Sequence, residues 1–146
     1  MSNFNDRLKE LMIENNCLQI DLVKNTGLAS SVVSNYYNGV EPTIKNLIIL
    51  SDYFNCSVDF LLGVVEDDKV RNFRKNYIFD KEVFITRFNL LKQGKSDYIV
   101  AKEIGINNGM IANWRKSKNP SIETLIKLAD YFGTSVDYLI GRSNSR

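Results

Sequence analysis

The second half of this chain restates the first. Laid without a gap, residues 16 to 63 over 94 to 141 give 16 identities in 48 positions, and most of the differences are conservative. The densest stretch is LSDYFNCSVDFLLG, ending at Gly63, against LADYFGTSVDYLIG, ending at Gly141. Upstream, Phe4, Arg7, Leu8 and Leu11 find counterparts in Phe84, Arg87, Phe88 and Leu91 once the second copy is shortened by two residues. A duplication of this kind constrains the architecture before any other reading, because whatever one copy folds into occurs twice. Each copy has about 60 residues, small but able to fold alone. The expected layout is a first domain over 1–65, a linker over 66–80 and a second domain over 81–146.

Within a copy, apolar residues recur at three- and four-residue spacing, as in Leu47, Leu50, Ser51 and Phe54, or Leu125, Leu128, Ala129 and Phe132. That spacing makes one buried helical face. Punctuation divides the first copy into five short helices, near 4–15, 19–25, 30–37, 43–54 and 58–62. Pro42 and Pro120 precede Thr43 and Ser121, whose hydroxyls can cap the fourth helix. Ser57 and Ser135 can cap the fifth, with Asp59 and Asp137 favoured in its first turn by the helix dipole. Gly27 and Gly105 fall between the second and third helices, where a tight turn needs positive φ. Helix, short glycine turn, helix is the helix-turn-helix unit. It comes twice, in register. The fold class is therefore all-α, two tandem five-helix domains joined by a partly ordered linker.

The segments LQIDLVKNTGLASSVVSNYYNG and SDYIVAKEIGINNGMIANWRKS, each followed by proline, a long fourth helix and SVDFLLG or SVDYLIG, resemble the phage repressor and Cro (XRE-type) helix-turn-helix family. The resemblance covers nearly everything except residues 64 to 82 and the tail after Gly141. It implies a compact bundle whose third helix enters the major groove while the second crosses the phosphate backbone. Double-stranded DNA is the implied partner.

Val33, Tyr36, Ile111 and Trp114 are expected to face the core. That leaves Ser30, Ser31, Ser34 and Asn35 in the first copy, and Asn108, Gly109, Ala112 and Asn113 in the second, to read bases. Asn35 and Asn113 share one slot, from which an asparagine can make a bidentate contact to adenine. The resemblance places phosphate contacts at the start of the second helix, after the third and at the start of the fourth. These are Gln19, Asn38, Gly39 and Thr43 in the first copy, and Lys95, Arg115, Lys116, Lys118 and Ser121 in the second. A solvated polar face is the plain alternative for such residues.

The copies are not equivalent. Residues 1–65 carry four basic and seven acidic residues, net −3, while residues 81–146 carry eleven and six, net +5. Phosphate binding needs local positive charge, so the second copy is the better DNA binder. Leu18 and Ala29 lack the capping groups that Ser96 and Asn107 supply, and Val23 is bulkier than Ala101 at the helix crossing. In the second copy Asp97 replaces Gln19, setting a carboxylate where a phosphate donor is expected, and Gly109 is unusual inside a helix. The linker starts acidic (Glu66, Asp67, Asp68), turns basic (Lys69, Arg71, Arg74, Lys75) and holds Phe73, Tyr77, Ile78 and Phe79, so it is expected to dock rather than swing. Asp80 can cap the helix that follows.

The sequence contains no histidine, which excludes histidine acid–base catalysis and the usual Cys/His zinc sites. No metal or cofactor is expected. Cys17 and Cys56 read as buried thiols. No nucleophile and base stand at recognisable spacing, so an enzyme is not expected. The first ten residues carry Asp6, Arg7, Lys9 and Glu10 and no apolar stretch follows, so the expectation is a cytoplasmic protein without signal or membrane span. Two function classes remain. One is a sequence-specific repressor of phage or mobile-element type, working as a homodimer or across two half-sites. The other is a protein-binding module, antitoxin- or inhibitor-like, that keeps the fold and uses its acidic first domain for dimerisation or partner binding.

Overall fold

The computed structural model describes residues 3–68 and 72–146. Lys69 and Arg71, part of the basic stretch expected in the linker, lie outside the described residues. The chain is all-helical and divides into two compact units, Met1–Ile78 and Phe79–Arg146.

The first unit contains α1 (Phe4–Glu14), α2 (Gln19–Thr26), α3 (Ser30–Tyr37), α4 (Ile44–Phe54) and α5 (Val58–Leu61). The second repeats them as α6 (Lys81–Lys92), α7 (Asp97–Ile104), α8 (Asn108–Lys116), α9 (Ile122–Phe132) and α10 (Val136–Leu139). Side-chain caps start α4, α5, α6, α9 and α10 where the sequence places its signals. Thr43 and Ser121 accept the backbone N–H of Asn46 and Thr124, each at 3.2 Å. Ser57 and Ser135 do the same for Phe60 and Tyr138 at 3.0 Å. Asp80 caps α6 through the N–H of Glu82 at 2.9 Å.

Gly27 and Gly105 close α2 and α7 at φ 77° and 79°. An L side chain would be strained there, and the three-residue turns to α3 and α8 depend on it. The caps differ between copies as the residue types demand. Ser96 and Asn107 accept the N–H groups of Ile99 at 3.2 Å and Gly109 at 2.7 Å, whereas Leu18 and Ala29 offer no acceptor. At Leu18 the loss is partly offset, because the Asp21 carboxylate reaches back to the Leu18 N–H at 2.8 Å. Gly109 now has a physical reason. A Cβ there would lie 3.1 Å from Asn107 Oδ1, so glycine lets the cap approach closely.

Each unit has its own core. In the first, Leu8, Leu22, Val33, Tyr36, Leu47, Leu50, Val58 and Leu61 are buried. In the second, Phe84, Phe88 and Trp114 form an aromatic cluster, with Trp114 5.6 Å from Phe84 and 5.8 Å from Phe88, both edge-on. Ring pairs at such distances add to the burial term.

One arginine per unit ties the first helix to the last. Arg7 donates to the carbonyls of Phe60 at 3.0 Å and Val65 at 3.3 Å, its guanidinium 4.0 Å from the Phe60 ring centroid. Arg87 donates to the carbonyls of Tyr138 and Ser143 and lies 4.2 Å from the Tyr138 ring centroid. Carbonyls at short-helix ends have no helical partner, and these guanidinium forks satisfy them. The second unit adds a fully buried ion pair, Asp137 with Arg142 at 2.9 Å. Asp59 and Asp137 are both buried in the first turn of α5 and α10.

The segment after α5 bonds back to the first unit. The Ser57 N–H donates to Asp68 at 3.0 Å, the Asn76 N–H to Asp52 at 3.0 Å, and Lys75 to Asn55. It is therefore not a free tether. Cys17 and Cys56 are buried as thiols.

Candidate nucleic-acid interface

The third helix of each copy presents a buried and an exposed side. In α3, Val33 and Tyr36 are buried; in α8, Ile111 and Trp114 are buried, as the spacing predicts. Opposite them, Ser30, Ser31 and Asn35 are exposed and Ser34 half-buried in α3, while Asn108, Gly109, Ala112 and Asn113 are all exposed in α8. A helix anchored by two large apolar residues and offering small polar ones outward can enter a groove without a steric block.

The residues expected to meet phosphate fall into three groups. Lys116 and Lys118 are exposed, with no side-chain partner among the described residues, directly after the outward ridge of α8. Thr43 and Ser121 are exposed but their side-chain oxygens serve as caps. Asn38 turns its amide to the Ser34 carbonyl at 2.9 Å, Gly39 lies exposed at φ 101°, and Gln19 is half-buried at the start of α2. Val40 and Asn38 occupy the places of Lys118 and Lys116. The first copy thus lacks the cations the second carries there.

Lys95 and Arg115 are engaged within the second unit, which sequence spacing does not reveal. Lys95 donates to the Tyr131 hydroxyl at 2.8 Å and pairs with Glu103 at 3.4 Å, and Tyr131 in turn donates to Glu103 at 3.1 Å. The Tyr131 hydrogen bond, with Glu103 beside it, holds the ammonium above the usual lysine range. Arg115 donates from Nε and Nη2 to the two Asp97 oxygens, each at 3.0 Å, and from Nη2 to Asn89 at 2.8 Å. Lys92 adds a 2.7 Å bond to the same carboxylate. Asp97 is therefore neutralised twice over.

The Arg115 guanidinium, with Lys92 beside it, holds the Asp97 carboxyl below the usual carboxylate range against the opposing effect of burial. A depressed folded pKa contributes stability above the unfolded value of about 3.9, and that contribution disappears as pH falls through the folded value. Wild-type protein and Asp97→Asn are thus expected to differ in melting temperature at neutral pH and to converge in strong acid. A difference that persists unchanged in acid would contradict the ion-pair account.

Among the described residues, no group of three or more His, Cys, Asp or Glu could hold a metal ion, and no helix is long and apolar enough to cross a membrane. The paired helices, the glycine turns and the outward polar ridges define a tandem helix-turn-helix protein. Residues 7–67 match the family described as Cro/C1-type HTH DNA-binding domain, and residues 89–139 match the family described as Helix-turn-helix. Two helix-turn-helix domains are thus found in the chain, and they support a DNA-binding transcriptional regulator. No curated protein and no solved structure matches it significantly.

Proposed function

We propose that the chain is a sequence-specific repressor of the kind encoded by phages and other mobile elements, and that its second domain does most of the DNA reading. The observation that carries this is the exposed ridge of α8, Asn108, Gly109, Ala112 and Asn113, followed at once by the exposed cations Lys116 and Lys118. Asn113 reads an adenine edge, and the two lysines hold the adjacent phosphates. The start of α9 at Ser121 adds a backbone contact, and α3, with Ser30, Ser31, Ser34 and Asn35, reads more weakly because Asn38 and Val40 stand where the second domain has Lys116 and Lys118. Two chains acting as a symmetric dimer on a palindromic operator is the assembly such domains favour. Occupying the operator is enough to repress, so no enzyme chemistry or cofactor is required, and a chromosomal target puts the protein in the cytoplasm.

Selection of bound sequences from a random duplex pool tests this directly. Asn113→Ala is expected to cost about 1–3 kcal/mol on the selected site and to relax preference at one adenine. Lys116→Ala should weaken every sequence alike. Equal, unselective losses from both would remove Asn113 from base reading.

A second reading, that the first domain docks a protein or pairs two chains, has one observation in its favour. Ile13, Leu18 and Ile20 are 77%, 67% and 68% exposed around the start of α2, where the second domain has the polar cap Ser96 in place of Leu18. Apolar residues grouped on a surface mark interaction sites. Loss of self-association on Leu18→Ser/Ile20→Lys, measured by sedimentation, would support pairing, and an unchanged distribution would exclude this patch from it.

A further inference from the structure

The duplication supplies an internal comparison at the edge of the recognition helix. In the first domain the start of α2 holds Gln19, the end of α3 holds Tyr37, and the first helix offers Lys9, whose ammonium lies 4.7 Å from the Tyr37 ring centroid. In the second domain the matching positions are Asp97, Arg115 and Asn89, joined by hydrogen bonds of 2.8 to 3.0 Å. All three positions differ between the copies. Where the first has the neutral Gln19 the second has an anion, and where the first has the aromatic Tyr37 the second has a cation that grips it.

We propose that Asp97 is a built-in brake on DNA binding by the second domain, its carboxylate holding Arg115 and Lys92 in the place a phosphate would take. The inference rests on the reading of α8 as the DNA-facing helix. A carboxylate presents two oxygens to the guanidinium fork much as a phosphate does, so the two anions compete for the same donors. Asp97 also lies in the first turn of α7, where a helix favours negative charge, and so fills that position with the protein's own anion. The Asp97 and Arg115 side chains remain 28% and 31% exposed, which leaves the pair accessible to an incoming phosphate. Asn89 and the ring of Phe88, 5.6 Å from the guanidinium carbon, keep Arg115 in position once the carboxylate is gone. Arg115 is thus a held reserve rather than a standing phosphate contact.

The test uses the full chain and a fluorescently labelled random-sequence duplex, titrated between 50 and 200 mM salt. Asp97→Asn is expected to tighten binding about tenfold at low salt and to steepen the salt slope by about 0.9 for each cation released. Asp97→Gln, which installs the residue of the first copy, should do the same, and Asp97→Glu should bind like wild type. Arg115→Ala should change little alone but cancel the gain in the Asp97→Asn background, an effect that loosened folding would not produce. Thermal melts of every variant establish that the domains are intact. If Lys116→Ala weakens binding while Asp97→Asn and Asp97→Gln leave it unchanged or weaken it, the brake is wrong and the DNA reading survives. If Lys116→Ala also has no effect, the DNA reading falls and the brake falls with it.

Discussion

Trp114→Ala is expected to destabilise the second domain by about 3–5 kcal/mol, the usual cost of emptying a buried aromatic site. Trp114 is 2% exposed and packs edge-on to both Phe84 and Phe88. These rings join α6 to α8, so the void would open where the recognition helix is anchored. A small domain has a total stability of about 5–15 kcal/mol, so a loss of this size leaves little. Hydrogen exchange read by mass spectrometry resolves the outcome by segment. Residues 84–139 should lose protection while residues 8–61, which have their own core, keep theirs. A loss below about 1 kcal/mol would mean that the site collapses around the void and that Trp114 is not the anchor.

Asp137→Ala should cost a similar amount for an electrostatic reason. Asp137 and Arg142 are both fully buried and 2.9 Å apart. Removing the carboxylate strands a guanidinium without its counter-ion, which in buried pairs costs about 3–5 kcal/mol. Replacing both partners by apolar residues, as in Asp137→Leu/Arg142→Met, should cost much less, because no charge is left to desolvate. Chemical denaturation of the three proteins checks this. A double variant as unstable as the single one would assign the loss to packing instead. The pair belongs to the second copy alone, since Val64 stands where the second copy has Arg142.

What could be read from the sequence was what local chemistry decides. Gly27 and Gly105 adopt positive φ, Thr43, Ser57, Ser121 and Ser135 cap helices, and Ile111 and Trp114 turn inward, each for a reason contained within one turn of chain. What escaped was set by distance along the chain. Arg115 meets Asp97 across 18 residues, and Arg87 meets the Ser143 carbonyl across 56. No spacing rule connects such positions. One signal was present nonetheless: Gln19, Tyr37 and Lys9 all differ in kind from their counterparts Asp97, Arg115 and Asn89. Positions that change together between two copies of a fold are candidates for contact. The candidate phosphate set shows this: Lys116 and Lys118 stand exposed, whereas Lys95 and Arg115 lie against Glu103 and Asp97, contacts that the register of the chain does not reveal.

Whether α8 and the cations behind it present the second domain to duplex DNA is decided by the salt dependence of wild-type binding to an unspecific duplex. Two phosphate-neutralising lysines, Lys116 and Lys118, predict a fall of about 12-fold in affinity between 50 and 200 mM salt. Absence of binding at the lower salt, or binding that salt does not weaken, would contradict it.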